Sequence, residues 1–130
     1  MGTYLNPGNY KFQEVLASDI YVDKTGLIEK TNAVLDTRQK FLCVSRPRRF
    51  GKSMAADMLA AYYERGEDAD LLFRSLKISK AESYRAHLNQ YDVIKVNIQE
   101  FLSMTGSMDE MLSMLKKYLV FDLMEHFDDV

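Results

Sequence analysis

Gly51, Lys52 and Ser53 stand between a compact apolar run, Phe41-Leu42-Cys43-Val44, and a stretch with helical spacing that begins at Lys52. Strand, turn and helix N-terminus in that order are the setting in which a phosphate-binding loop works. Backbone N–H groups at a helix start converge on an anion, and the helix dipole favours negative charge there. Gly51 lets the backbone approach phosphate without a side chain in the way. Lys52 offers a flexible ammonium for β- and γ-phosphates, and the Ser53 hydroxyl is a ligand for Mg²⁺. The general spacing G-x-x-x-x-G-K-[S/T] places its first glycine at 46, where this chain has Arg46. Pro47 fixes one backbone angle and removes one N–H donor from the loop.

The charge distribution supports an anion at this place. Arg38, Lys40, Arg46, Arg48, Arg49 and Lys52 fall between Thr37 and Ala56, a stretch without an acidic residue, although the net charge is −2. A basic island in an otherwise acidic chain suggests one local anionic ligand rather than a generally nucleic-acid-coating protein. Arg46, Arg48 and Arg49 remain open to three uses: phosphate contact, contact with a nucleic acid or acidic partner, or solvation. The same island therefore also defines an alternative, a non-catalytic interaction or nucleic-acid-binding module.

The elements that must position these residues follow from periodicity. Lys11–Ala17 predicts a short helix, and Asp23 is placed to cap a helix from about Lys24 to Leu35. Ile20–Val22, Phe41–Val44 and Val93–Ile98 predict strands. Helical spacing from Lys52 stops at Gly66, and Asp68–Leu76 predicts a further short helix. Ser79-x-x-Glu82 and Ser107-x-x-Glu110 have capping-box spacing. The first predicts a helix ending near Gln90, and the second a long amphipathic helix from Met108 to Phe127. Strands separated by helices predict an α/β domain with a parallel sheet. The eight methionines lie mostly on helical stripes, where they predict core filling.

The loop Ser45-Arg-Pro-Arg-Arg-Phe-Gly-Lys-Ser53, with Tyr21-Val-Asp-Lys-Thr25 upstream, resembles the AAA-ATPase-like family of prokaryotic P-loop proteins. That family's variant loop reads R-P-R-R-F-G-K-[S/T], so Arg46 is its expected departure from the general motif. The resemblance extends through Met58–Tyr63 and Val93–Ile98. It implies a P-loop NTPase-like parallel sheet with flanking helices, ATP and Mg²⁺ as ligands, and a cytoplasmic location. It also implies nucleic-acid contact through a PD-(D/E)XK nuclease-like domain often fused to the family's C-terminus. By resemblance, Lys52 and Ser53 take the phosphate and metal roles, and Arg48, Arg49, Phe50 and Gly51 the loop positions. Asp23, Lys24 and Thr25 are open between a helix cap and the nucleotide pocket.

ATP turnover needs carboxylates that the sequence does not offer in the expected places. Val93–Ile98 ends in Asn97, with Glu100 following. Tyr118–Asp122 spells four apolar residues and an acid, yet lies inside a helical stripe. The family's acidic segment, of the form I-D-E-Y-D, does not occur, so residues 1–130 read as the N-terminal portion of a longer P-loop domain. His87 and His126 have no metal-like partners in spacing and read as surface or capping residues. Cys43 is the sole cysteine, which excludes an internal disulfide framework. No apolar run approaches the roughly 20 residues of a membrane span. The Met108–Phe127 stripe leaves self-association open.

Overall fold

Phe12, Tyr62 and Phe73 meet at the centre of the molecule, and the first helices are arranged around them. Phe12 stacks on Phe73 with ring centroids 4.9 Å apart, and Tyr62 meets Phe73 edge-on at 5.6 Å. A computed structural model describes residues 3–18, 21–43, 52–66 and 68–127, with the backbone alone at residues 52, 53, 126 and 127. Its helices are α1 (Tyr10–Leu16), α2 (Gly26–Val34), α3 (Lys52–Tyr63), α4 (Asp70–Phe73), α5 (Tyr84–His87), α6 (Ile98–Met104) and α7 (Met108–Phe127). A 3₁₀ turn spans Lys77–Lys80.

α1 packs on α3, and the 3₁₀ turn receives α2, α4 and α5. Phe12, Ile28, Met58, Ala61, Tyr62, Ala69, Phe73, Ile78, Tyr84 and Leu88 form one buried cluster. Leu5, Phe101 and Met111 are also buried but stand outside it, under the hairpin made by α6 and α7. There Tyr4, Phe101 and Tyr118 form a short ladder of rings, 5.7 and 6.0 Å apart.

The expected α/β parallel sheet is overturned: among the described residues the chain is helical, and no strand forms. Two isolated bridges, Leu5 with Ile94 and Glu64 with Tyr91, are the extended pairing present. The reason is that β-propensity becomes a strand only with a paired neighbour. Phe41 and Leu42 are exposed and make no β-bridge with any described residue, and Val44 lies outside them. Tyr21 and Val22 are likewise unpaired, and Ile20 lies outside the described residues. In Val93–Ile98, the Asn97 side chain accepts from the Gln99 amide at 3.1 Å and opens α6, which takes Ile98 into a helix.

Methionine use also departs from the core-filling expectation. Met58 and Met111 are buried, whereas Met54, Met104, Met108 and Met124 are exposed. The first capping box does not form either, because Ser79 sits inside the 3₁₀ turn and donates to the Leu76 carbonyl. The second forms by half. The Glu110 amide donates to Ser107 Oγ at 3.2 Å, but the Glu110 carboxylate accepts from the Gly106 amide instead of that of Ser107.

Candidate functional site

Lys52 and Ser53 are the first two residues of α3, as their spacing predicts. Arg46, Arg48, Arg49, Phe50 and Gly51 lie outside the described residues. α3 has no acidic residue in its first turn. The helix dipole therefore meets no carboxylate from its own first turn there. The first acid along α3 is Asp57, whose half-buried side chain pairs with the Lys95 ammonium.

The other end of α3 is held by the segment that follows α5. A helix leaves its last carbonyls without partners. Here the Asn89 amide donates to the Tyr62 carbonyl at 2.7 Å and the Tyr91 amide to that of Tyr63 at 2.9 Å. Asn89 Nδ2 donates to the Glu64 carbonyl at 2.8 Å, and Asn89 Oδ1 accepts from the Ala69 amide at 2.9 Å. Asn89 has φ +56°, a left-handed conformation that asparagine tolerates better than most residues. An open cleft of about 320 Å³, lined by Gly66, Asp68, Arg85, Leu88, Asn89 and Gln90, sits at this end. It is roughly 18 Å from Lys52 by the rise of a 12-residue helix, so it does not belong to the Lys52–Ser53 end.

Asp23, Lys24 and Thr25 prove to be a fastener. Asp23 Oδ1 accepts from the Thr25 amide and hydroxyl at 2.9 and 2.6 Å, and Oδ2 accepts from the Lys77 amide at 2.8 Å. Thr25 Oγ1, fully buried, accepts from the Ile78 amide at 3.1 Å. Together they tie the start of α2 to the 3₁₀ turn, and Lys24 points to solvent. Burial opposes the Asp23 charge, but the Thr25 hydroxyl and the Lys77 and Thr25 amides outweigh it and hold the carboxyl below its usual range.

Other acids are similarly engaged. Asp122, on α7 and buried, accepts from the amides of Thr3, Tyr4 and Leu5 at 3.1, 2.9 and 2.8 Å. Glu64, also buried, accepts from the Gly8 amide at 3.0 Å. Asp70 accepts from the Tyr84 hydroxyl at 2.7 Å and pairs with Arg85 at 3.3 Å. Sequence reading missed these roles, since the backbone donors to Asp122 and Glu64 leave no signature in side-chain spacing and Tyr84 and Arg85 lie 14 and 15 positions from Asp70. Glu100 is exposed on the first turn of α6. His87 Nδ1 lies 2.6 Å from the Tyr91 hydroxyl, and Cys43 is an exposed free thiol.

Between α2 and α3 runs a buried polar network. The Tyr63 hydroxyl donates to Asn32 Oδ1, while Asn32 Nδ2 reaches the Tyr62 hydroxyl at 3.2 Å and Ser83 Oγ at 3.1 Å. Burial raises the Tyr63 hydroxyl to about 12.

Among the described residues no group of three or more His, Cys, Asp or Glu side chains could hold a metal ion. No described helix is long and apolar enough to cross a membrane. A family model described as Predicted AAA-ATPase matches residues 8–128. No curated protein and no solved structure matches the chain.

Proposed function

Since the chain belongs to the predicted AAA-ATPase family, we propose that it binds ATP with Mg²⁺ where Lys52 and Ser53 open α3. The observation that carries this is the start of α3 itself: a 12-residue helix led by Lys-Ser, with no acid in its first turn. An anion placed at a helix start gains the dipole and the N–H groups of the first turn. Lys52 supplies a cation to the β- and γ-phosphates, and the Ser53 hydroxyl is a ligand for the Mg²⁺ that accompanies them. Arg48, Arg49, Phe50 and Gly51 supply the loop. The magnesium ion, when bound, neutralises phosphate charge. The acids Asp23, Asp57, Asp70, Glu64 and Asp122 are engaged in holding the fold.

Calorimetry with Mg·ATP separates this reading from use of the basic island for nucleic acid. We expect Lys52→Ala to weaken Mg·ATP binding by tenfold or more, since charge-assisted bonds contribute about 1.5–3 kcal/mol. Equal affinity in both chains overturns it. Tight, steeply salt-dependent binding of DNA or RNA that is lost in Arg46→Ala/Arg48→Ala/Arg49→Ala, alongside no ATP binding, favours the other use.

A further inference from the structure

We propose that α6 and α7 form a detachable unit, clasped to the rest of the molecule by the N-terminal strap of residues 3–6 and able to leave while the core of α1–α5 stays folded. Three observations converge. First, the apolar residues under the hairpin, Leu5, Phe101 and Met111, are buried separately from the main cluster. Second, α7 packs chiefly on α6, so its helix-to-helix packing lies within the hairpin. Third, the strap supplies a polar fastening on both of its sides.

On one side, Asp122 Oδ1 and Oδ2 take the amides of Thr3, Tyr4 and Leu5. On the other, the strap pairs with the segment before α6. The Asn6 amide donates to the Val93 carbonyl at 2.7 Å, and the Lys95 amide to the Tyr4 carbonyl at 2.9 Å. The Val93 amide donates to Asn6 Oδ1 at 2.8 Å. Lys95 in turn pairs with Asp57 on α3. One carboxylate thus fastens α7 to a strap that is itself fastened to the core. Regions with few buried apolar contacts and a localised set of polar bonds open below the global unfolding free energy.

Native-state hydrogen exchange on the whole chain tests this. In the unaltered protein at low urea, α7 amides should open with a shallower denaturant slope than α3 amides, because less surface is exposed. Asp122→Asn should speed exchange throughout α6 and α7 by about tenfold or more, with α3 unchanged. Asn6→Gly, which keeps the positive φ of +45° and the backbone bond to the Val93 carbonyl but removes the side-chain bonds to the Val93 amide and to Asp92, should act in the same direction although it touches neither helix. Coincident slopes for α3 and α7 overturn the proposal. So does an Asp122→Asn effect confined to the amides of residues 3–5, or one spread equally to α3.

Discussion

Tyr62 and Phe121 are both large aromatics on helices, yet Tyr62 is fully buried and Phe121 is 68% exposed. The contrast extends to the regions that hold them. In the core, α1, α3 and α4 converge, so one ring from each closes on the others. The hairpin is a two-helix layer, and a helix with one main neighbour covers only one of its faces. Met108, Leu112, Val120, Phe121 and Met124 accordingly stay exposed on α7. The same apolar periodicity yields a core in one place and an open face in the other. What differs is the number of elements that arrive, not the hydrophobicity of the helix.

That contrast can be broken first from the core side. Phe73→Ala removes a ring shared by Phe12 and Tyr62 and should cost about 3–5 kcal/mol. Urea denaturation followed by tyrosine fluorescence checks it. A loss under 1 kcal/mol would mean that the α1–α5 cluster is no better packed than the hairpin.

A smaller effect is expected at the polar fastening of α2. Asp23→Ala leaves the Thr25 and Lys77 donors without their acceptor and should cost about 1–3 kcal/mol. The sign with pH follows from the direction of its shift. A carboxyl held below its usual range stabilises the fold above the unfolded-state value near 4, and that contribution fades as pH falls through the lower, folded-state value. Melting temperatures from pH 6 down to pH 2 should therefore converge for Asp23→Ala and the parent chain. Parallel curves would show that the carboxylate is not the stabilising group.

Least of all is expected from the open face. Phe121→Ser should shift stability by no more than about 0.5 kcal/mol, measured in the same urea titration. A destabilisation above 2 kcal/mol would show that the α7 face is covered in solution.

Much of the helical layout was legible in the residues. Met108–Phe127 forms as one helix at its predicted bounds, and α3 begins at Lys52. Asp122 lies inside α7, as the 3.6-residue stripe required. α1 and α2 fall within one or two residues of expectation. These elements are local, and their signal lies in spacing along the chain. The sheet misled because Phe41–Val44 and Val93–Ile98 carry β-propensity without saying which neighbour would pair with them.

The helix that carries the candidate site was legible, since Lys52 and Ser53 open α3. The anchors around it were not. Asn89 holds the end of α3 from 25 positions away in sequence, and Lys95 reaches Asp57 across 38. Thr25 lies in the Asp-Lys-Thr stretch that sequence left open between a helix cap and a nucleotide pocket, and its hydroxyl serves the Ile78 amide 53 residues on. Such partners are set by the path of the chain, which residue spacing does not contain.

The grip of Asn89 and Tyr91 on the last turn of α3 makes that helix a lever with a fixed fulcrum. Over its full length of about 18 Å, a tilt of roughly 5° would swing Lys52 by about 1.6 Å. The Lys95–Asp57 pair grips the shaft partway along and leaves a free arm of only five residues, about 7.5 Å. The same tilt then moves the Lys52 backbone by roughly 0.7 Å, less than half of the swing over the full helix. Lys95, through Asp57, thereby limits how far the backbone at the start of α3 can swing.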